Sequence, residues 1–355
     1  MGFKSVLESI DYRDDIKRVA ERNLPWEKLS GKNVIVTGST GMIGSCIIDV
    51  IMFLNAEKDL NCHVTAIGRS AVKAEERFGS YSDTGLFTFV EHDVNAPYKE
   101  GELGQPDYVL HLASNTHPLA YSKDPIGTIT INILGLLNLL EYASGHGSAR
   151  VFLASSNEIY GENRGDAEMF TEDYCGYINS NTMRAGYPES KRCCEALCQA
   201  YISQKDMDVV IARFTRSYGP TMNMTDTKAI SQFIKNGLNS EDIVLKSEGK
   251  QFYSYTYVSD AVSGAFTVLL AGEKGEAYNI ADEKSDITLR DLAQLIAGYA
   301  GREVIFELPD EVEKRGYSTA TKARLDGSKL KKLGWEPYYG IKEGMHHTLD
   351  ILKNR

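Results

Sequence analysis

From residue 33 to residue 214, the chain alternates short apolar segments typical of strands with longer segments typical of helices. "NVIVTG" and "HVTAIG" have the length and β-branched content of buried strands, and "IGSCIIDVIMFLN" between them has the length of a helix. Strands that are apolar throughout and separated by helices predict a parallel sheet covered by helices on both faces. The pattern therefore predicts an α/β fold with a doubly wound parallel sheet.

A glycine-rich turn joins the first predicted strand to the first predicted helix. In "TGSTGMIG", Gly38, Gly41 and Gly44 would let the backbone turn tightly, approach a phosphate and pack the helix close to the strand. A pyrophosphate would then lie at the N-terminus of the helix. Three glycines alone are a weak signal, but between this strand and this helix they predict a dinucleotide-binding, Rossmann-type domain.

The residues after the second predicted strand leave the choice between NAD and NADP open. An acidic residue there would bind the ribose 2′-hydroxyl of NAD, but this chain has Gly68, Arg69 and Ser70. Arg69 could bind a 2′-phosphate through paired hydrogen bonds, stack over the adenine or point into solvent. Asp93 and Val94, at the end of the third predicted strand, are expected beside the adenine ring.

The alternation of strands and helices becomes irregular after "YGP", and helical segments such as "AISQFIKNGL" mix with short strands. We therefore predict a smaller, mixed α/β substrate-binding domain over 215–355. A helical extension is predicted at 1–30, and the dinucleotide-binding domain at 31–214. The segment 251–270 is expected to return to the dinucleotide-binding domain.

Composition and charge narrow the class of protein. The chain is 42% hydrophobic and 25% charged, as soluble globular proteins are, and its net charge of −10 without a basic block argues against a nucleic-acid partner. The apolar run from Cys46 to Leu54 is interrupted by Asp49, so no run is expected to approach membrane-spanning length. The charged N-terminus lacks a signal-peptide core and no CxxC pair occurs, so we expect a cytoplasmic protein.

A YxxxK pair and a strand that ends in polar residues predict a catalytic site. Tyr187 and Lys191 begin a predicted helix and lie one turn apart on the same face. A nearby lysine and a positive nicotinamide ring would lower the pKa of the tyrosine, so that the phenolate could take a proton from a sugar hydroxyl. Ser156, at the end of "VFLASS", would hydrogen-bond the same hydroxyl. With 20 tyrosines in the chain, about one such pair is expected by chance, so the spacing alone proves nothing.

Together these motifs resemble the extended short-chain dehydrogenase/reductases, in the NAD-dependent epimerase/dehydratase group that acts on nucleotide sugars. The resemblance covers nearly the whole chain from Lys32 onward. It rests on "TGSTGMIG", "HLAS" at 111–114, Asn132, "SSNEIYG", "YPESK", "YGP" at 218–220, "YVSDAV" at 257–262 and "LGWEP" at 333–337.

The resemblance implies a catalytic triad of Ser156, Tyr187 and Lys191, with Lys191 also binding the nicotinamide ribose. It also implies a homodimer, formed by the long helix after Thr128 and the helix that carries Tyr187. The implied cofactor-binding residues are Gly38, Thr40, Gly41, Met42, Ile43, Gly44, Arg69, Asp93, Val94, Leu112, Ala113, Ser114, Asn132, Tyr187 and Lys191. The implied substrate-binding residues are Asn157, Arg184, Arg216 and Tyr253.

Within the family, residues 171–234 look most like UDP-glucuronate decarboxylases, on "TEDYCGYIN", "RAGYPESKR", "EALCQAY" and "YGPTMNM". Family members that dehydrate or decarboxylate place a glutamate where this chain has Glu158. The resemblance implies that Glu158 is a base for a second proton, once oxidation at C4 has made the C5 hydrogen acidic. The alternative for Glu158 is an exposed loop carboxylate.

Three residues depart from the patterns of these relatives. Decarboxylases carry an arginine just before "YVSD" that grips the diphosphate, and Tyr253 stands at the aligned position. The family usually has an asparagine shortly before "YGP", where this chain has Arg216, which could restore the phosphate contact. The bound leaving group could otherwise differ from UDP. Asn157, where dehydratases often have an aspartic acid, argues against simple dehydration.

We therefore expect an NAD(P)-dependent nucleotide-sugar epimerase/dehydratase that oxidises its substrate at C4 to a 4-keto intermediate and then acts at C4 or C5, with epimerisation favoured. The alternatives are a UDP-glucuronate decarboxylase-like enzyme, an NADPH-dependent keto-sugar reductase and a non-enzymatic dinucleotide-binding scaffold. The retained Tyr187 and Lys191 argue against the scaffold. No metal site is expected, because His346 and His347 lie on a C-terminal helix without matching partners.

Overall fold

The computed structural model describes residues 5–116, 118–307 and 321–354. Its helices are α1 (Ile10–Ala20), α2 (Met42–Lys58), α3 (Ala71–Phe78), α4 (Pro118–Lys123), α5 (Pro125–Gly145), α6 (Gly186–Lys205), α7 (Ala229–Leu238), α8 (Val258–Ala271), α9 (Leu289–Ala300), α10 (Ser328–Lys331) and α11 (Ile341–Lys353). Its strands are β1 (Asn33–Thr37), β2 (His63–Gly68), β3 (Phe87–Glu91), β4 (Tyr108–His111), β5 (Arg150–Ser156), β6 (Val209–Phe214), β7 (Arg216–Tyr218), β8 (Ile243–Leu245), β9 (Phe252–Tyr257), β10 (Ala277–Ile280), β11 (Asp286–Thr288), β12 (Val304–Phe306) and β13 (Lys322–Ala323).

The largest sheet has seven strands in the order β10-β6-β5-β4-β1-β2-β3, and every neighbouring pair in it is parallel. The strand order reverses between β1 and β4, and in doubly wound sheets the crevice outside the carboxyl ends of such strands is where ligands bind. The predicted Rossmann-type, doubly wound parallel sheet is confirmed.

Both faces of this sheet are covered, as the apolar strands predicted. Val34 and Val36 pack into a core that includes residues of α1, α2 and α8. Ile35, between them, packs into a separate core with residues of α5 and α6. The alternation follows from the strand itself, because successive side chains point to opposite faces.

Helix α5 corrects one expectation from the sequence. It is long and apolar enough to cross a membrane by length and composition alone, so the expectation that no apolar run approaches that length was wrong. Half of its most apolar window is buried, and Leu136, Leu139 and Leu140 pack into the core beneath the sheet. A core helix of a soluble protein passes the same test, so this one helix is weak evidence for a membrane span.

The rest of the chain builds smaller sheets beside the large one. β9 pairs with β7, β11 and β13, and β8 pairs with β12, while α7 packs against α9 and α11. Of the segment 251–270, α8 packs against α1, α2 and β6, whereas β9 belongs to the small sheet. β10 pairs with β6 and so adds residues 277–280 to the large sheet. The division into domains at 30 and 214 stays a prediction.

Buried carboxylates attach the N-terminal helix to the body of the protein. The Tyr12 hydroxyl donates to Asp49 of α2 at 2.6 Å, and Arg77 and Tyr81 also donate to this carboxylate. Asp15 accepts from the hydroxyl of Tyr257 at 2.6 Å, on the other side of α1. Helix α1 is therefore fixed to α2, which covers the large sheet, and to β9 at once.

Candidate active site

The glycine loop lies between β1 and α2, as predicted. Gly38 has a φ of +65°, and a Cβ there would lie 2.7 Å from the carbonyl carbon of Leu112. A Cβ on Gly44 would lie 2.5 Å from the carbonyl oxygen of Gly38, so neither position has room for a side chain. No side chain caps α2 at Gly41, which leaves its first N–H groups available. The loop therefore fits a dinucleotide pyrophosphate.

Three further residues predicted to bind the cofactor lie at the start of α2. Thr40 is exposed, and Met42 and Ile43 are half-buried. The Met42 carbonyl accepts a hydrogen bond from the Thr221 hydroxyl at 3.0 Å, which ties the loop to the segment after β7.

Thr37 holds the end of β4 beside the glycine loop. Its hydroxyl oxygen accepts from the backbone N–H groups of Leu112 and Ala113 at 3.2 and 3.3 Å, and it hydrogen-bonds the His111 Nδ1 at 3.0 Å. Burial lowers the pKa of His111 to about 3, so the ring is neutral at pH 7. The sequence analysis missed Thr37 and His111, although a polar residue ending an apolar strand was the available signal.

Asn132 connects the cofactor segment to the helix that carries Tyr187. Its Oδ1 accepts from the Ser114 hydroxyl at 2.7 Å, and its Nδ2 donates to the Ser190 hydroxyl at 2.8 Å. Ser190 in turn donates to the carbonyl of Tyr187 at 2.8 Å. Asn132 is completely buried, and these bonds compensate for the cost of removing its amide from water. Ser190 was not predicted.

The predicted adenine end lies at the carboxyl ends of β2 and β3. Arg69 is exposed and has no hydrogen-bond or ion-pair partner among the described residues. Asp93 is exposed, and Val94 is buried. A carboxylate that was not predicted also lies here, because Glu91 of β3 accepts from the backbone N–H of Ala71 at 3.0 Å.

Ser156, Tyr187 and Lys191 meet at the carboxyl end of β5. Ser156 ends this strand, the other two lie near the start of α6, and all three side chains are buried. The hydroxyls of Ser156 and Ser114 interact with the Tyr187 phenol. The Lys191 Nζ donates to the carbonyl of Ala154 at 2.9 Å, which aligns the amine along the end of the strand.

In the protein alone the pKa of Tyr187 is raised, whereas the expected lowering includes the charge of a bound nicotinamide and stays a prediction. Burial raises its pKa above the ordinary value and the negative charge of Glu158 raises it further, while Ser156 and Arg184 oppose the rise. Burial also lowers the pKa of Lys191. The phenol of the protein alone is therefore protonated at neutral pH, because the cost of burying its anion exceeds the help from its neighbours.

Glu158 forms an ion pair with Arg184. The Arg184 Nη2 donates to both carboxylate oxygens at 2.7 Å. Its guanidinium carbon lies 4.7 Å from the ring centroid of Tyr121, and Tyr121 stacks on Tyr187 with centroids 4.9 Å apart. Glu158 is therefore fixed beside Tyr187 rather than loose in a loop. Arg184, predicted to bind substrate, pairs with Glu158, and Tyr121 was not predicted.

Arg216 and Tyr253, two of the departures from the relatives' pattern, are in contact. β7 runs alongside β9, and the Arg216 guanidinium carbon lies 3.5 Å from the ring centroid of Tyr253. The Arg216 Nη1 is buried without a hydrogen-bond partner in the described chain. Asn157, the remaining predicted substrate residue, is buried and accepts from the Ser156 hydroxyl at 3.4 Å.

Among the residues that the structure describes, no group of three or more His, Cys, Asp or Glu side chains could hold a metal ion. His347, which the sequence analysis considered, hydrogen-bonds Asp15 and Tyr339 instead. Its ring therefore belongs to the buried network around α1.

The sequence matches the NAD dependent epimerase/dehydratase family over residues 34–281. It is 32% identical over 327 residues to UDP-glucuronic acid decarboxylase 1 of Xenopus tropicalis, covering 91% of this chain and 72% of the relative. It is 31% identical over 321 residues to UDP-glucuronic acid decarboxylase 6 of Arabidopsis thaliana, covering 89% of this chain and 87% of the relative.

Solved structures share the fold. UDP-glucuronic acid 4-epimerase from Bacillus cereus, in complex with UDP-glucuronic acid and NAD, has a TM-score of 0.78 and 22% identity, over 90% of this chain and 99% of that one. A dTDP-glucose 4,6-dehydratase double mutant from Streptomyces venezuelae, with NAD bound, has a TM-score of 0.76 and 24% identity, over 90% and 96%.

These comparisons confirm the predicted family resemblance, including the likeness to UDP-glucuronate decarboxylases. They also confirm the expected class of protein, an NAD(P)-dependent enzyme of the extended short-chain dehydrogenase/reductase type. The chain belongs to the NAD dependent epimerase/dehydratase family.

Proposed function

We propose that this enzyme oxidises a nucleotide sugar at C4 and then converts the 4-keto intermediate at C4 or C5. The observation that carries the proposal is the buried cluster of Ser156, Tyr187 and Lys191, at the sheet edge that also carries the glycine loop. When bound, NAD accepts the hydride from C4 and can return it.

The proton from the C4 hydroxyl goes to Tyr187. Ser156, which already interacts with the phenol, donates to or accepts from the same hydroxyl and so orients it. Lys191 donates one N–H to the carbonyl of Ala154, and its two other N–H groups can donate to the ribose of the nicotinamide. The charge of Lys191 and that of a bound nicotinamide would lower the pKa of Tyr187. Burial raises that pKa in the protein alone.

Glu158 moves the second proton. Its backbone N–H donates to the Ser156 hydroxyl at 3.2 Å, so the backbone of Glu158 is tied to the residue that orients the C4 hydroxyl. An ordinary sugar C–H is far too weak an acid for a carboxylate, but the C5 hydrogen becomes acidic once C4 is a ketone. Epimerisation makes the smallest demand on this arrangement: the 4-keto sugar either reorients, so that the hydride returns to the opposite face of C4, or loses its C5 proton and regains one from the opposite face, before C4 is reduced again.

Decarboxylation of a nucleotide-linked uronate is the second candidate. The identity of 31–32% with UDP-glucuronic acid decarboxylases over about nine-tenths of the chain favours it. A 4-ketone also activates the C5 carboxylate for loss of carbon dioxide, so the first half of the reaction is shared. Tyr253, in place of the arginine that these relatives carry, is the feature that argues against it.

We further propose that the cofactor is NAD rather than NADP. The Glu91 carboxylate, held by Ala71 next to the end of β2, supports this choice because it would repel a 2′-phosphate. The exposed Arg69 is the feature that would suit NADP.

We propose a cytoplasmic homodimer without nucleic-acid or membrane partners. Exposed apolar side chains on α5 support the dimer, namely Ile126 at 75%, Ile129 at 38% and Leu134 at 41% exposure. The net charge of −10 argues against nucleic acid. All six cysteines are free, which fits a reducing compartment.

The test is to incubate the enzyme with NAD or NADP and UDP-, dTDP-, GDP- and CDP-sugars, including UDP-glucuronate, and to measure product mass. An unchanged mass with altered chromatography indicates epimerisation, and loss of carbon dioxide indicates the second candidate. Stoichiometric consumption of NADPH on a keto-sugar would instead identify a reductase. Tyr187→Phe is the control, because any product it forms at the same rate would contradict the proposed chemistry.

A further inference from the structure

We propose that Arg216 binds an anionic group of the substrate, either the diphosphate or a carboxylate on the sugar. The inference rests on the proposed function in taking a nucleotide sugar as the ligand. It adds the residue that recognises the negative charge of that ligand, and it is carried by four observations on Arg216 and its neighbours.

The first observation is that Arg216 lacks the counter-charge that comparable arginines have. Arg184 is neutralised by Glu158, and Arg213 lies 2.7 Å from a carboxylate oxygen of Glu195. In the described parts of the chain, Arg216 has no ion-pair partner, and its Nη1 is buried without an acceptor. Arg216 as a whole is half-buried, so its charge stays within reach of solvent, but a buried N–H group without an acceptor is unfavourable, and the folded protein alone leaves this group unsatisfied.

The second observation is the stack on Tyr253. The guanidinium carbon lies 3.5 Å from the ring centroid, and Tyr253 is itself 6% exposed, so the ring is a fixed support. Stacking uses the face of the guanidinium and leaves its N–H groups, which lie in the plane at the edge, free to donate. Paired N–H groups at such an edge match the oxygens of a phosphate or a carboxylate.

The third observation is position. Phe214, the last residue of β6, is the register partner of Ser156 in the large sheet. Arg216 begins β7 directly beyond this point, at the carboxyl edge where Ser156 and Tyr187 lie. A ligand whose sugar lies against Ser156 therefore has Arg216 at its side.

The fourth observation is the local charge. Burial raises the pKa of Tyr253, and of the neighbouring charges Arg216 lowers it, Glu158 raises it and Arg184 lowers it. The stack is therefore within electrostatic reach of the Glu158–Arg184 pair. Because the charges of Glu158 and Arg184 cancel each other, Arg216 carries the uncompensated charge among these three residues. A bound anion would balance that charge.

The experiment measures binding of UDP, UDP-glucose and UDP-glucuronate to the NAD-loaded full-length protein by calorimetry, with Arg216→Gln and Arg216→Lys. We expect Arg216→Gln to bind roughly 10- to 100-fold more weakly, the usual loss for a charged hydrogen bond, and Arg216→Lys to lose less. An equal loss for the three ligands assigns the contact to the diphosphate, and a loss confined to UDP-glucuronate assigns it to the carboxylate. Unchanged affinities, or no binding of any of the three to the unsubstituted protein, would overturn the inference.

Two further variants separate binding from folding. Arg213→Gln breaks an ion pair and should lower the melting temperature, whereas Arg216→Gln removes an unpaired group and should not. An equal fall for both would make Arg216 structural and overturn the inference. In the double variant Arg216→Gln/Tyr253→Arg the charge moves to the other side of the stack, and we expect part of the affinity to return.

The same measurements distinguish this inference from the proposed function. If the chemistry is wrong, no sugar is converted although ligands still bind through Arg216. If the inference is wrong, product still forms while Arg216→Gln binds ligands as tightly as the unsubstituted protein.

Discussion

Arg184 Nη2 lies 2.7 Å from each carboxylate oxygen of Glu158, so these two residues are held beside Tyr187 as one neutral ion pair. The two charges have opposite effects on the pKa of the Tyr187 phenol: Glu158 raises it and Arg184 lowers it. The pair therefore holds Glu158 in place as a base for C5, while Arg184 opposes the effect of Glu158 on the pKa of Tyr187, the base that acts at C4.

Removal of Arg184 should shift the pH dependence of the reaction. In Arg184→Gln the charge of Glu158 is no longer opposed, so the pKa of Tyr187 rises and less phenolate is present at a given pH. We expect the rising limb of kcat/KM to move to higher pH, with about a tenfold loss at neutral pH for each unit of pKa. Arg184→Lys keeps the charge and should restore most of the profile. Superimposable profiles for Arg184→Gln and the unsubstituted enzyme would contradict this role.

Substitution of Glu158 should separate oxidation at C4 from the later step. Glu158→Gln keeps a similar shape but cannot remove the C5 proton, so we expect turnover to fall about 10²- to 10⁴-fold. The bound cofactor should still be reduced, and its absorbance should accumulate. Exchange of the C5 hydrogen with deuterium from solvent measures the missing step directly. Exchange at the normal rate would show that another group is the base.

Charge at the end of β2 should control cofactor choice. Loss of the Glu91 carboxylate in Glu91→Gln should tighten NADPH about fivefold relative to NADH, the effect of one exposed charge at close range. Arg69→Ala should weaken NADPH without changing NADH. Titration of the nucleotide fluorescence measures the affinities of both cofactors for the two variants and for the unsubstituted enzyme. If Glu91→Gln leaves the ratio unchanged, the carboxylate does not contact the 2′-position.

The network around Asp49 should be a main source of stability for the N-terminal helix. Asp49 is buried and accepts from Tyr12 at 2.6 Å, Tyr81 at 3.0 Å and Arg77 at 3.1 Å. Asp49→Ala leaves the Arg77 charge unpaired, so we expect a loss of about 3–5 kcal/mol in the free energy of unfolding. Tyr12→Phe removes one hydrogen bond and should cost about 1 kcal/mol.

Urea unfolding measures both changes. The matched control is Lys17→Ala, which breaks an ion pair with Glu21 whose side chains are 57% and 55% exposed. Such a pair contributes little, so the control should change the free energy of unfolding by less than about 1 kcal/mol. A loss for Asp49→Ala as small as that of the control would contradict the assignment.

The large sheet and the glycine loop were predictable because their signals are local. A strand, three glycines and a helix follow one another in the sequence, and Gly38 and Gly44 are required by contacts within the same turn. The edge strand β10 was not predicted, because it is short and joins β6 from residues 277–280, far along the chain.

The functional groups that the sequence analysis missed depend on partners distant in sequence. Tyr121 gains its position by stacking on Tyr187, and Glu91 by bonding to Ala71. Arg184 and Glu158 were both implied by the family resemblance, but their pairing could be known only from the fold. Contacts between side chains distant in sequence leave no repeating pattern in the sequence, so they become visible only in the folded structure.

The central claim is that Tyr187 removes the C4 proton while the hydride leaves C4. The most direct measurement mixes NAD-loaded enzyme rapidly with the sugar nucleotide that it converts, and follows the absorbance of the reduced cofactor. The account predicts a transient rise in the unsubstituted enzyme, a rise that persists in Glu158→Gln, and no rise in Tyr187→Phe, although Tyr187→Phe still binds NAD. Product formation without any rise, or an equal rise in Tyr187→Phe, would contradict it.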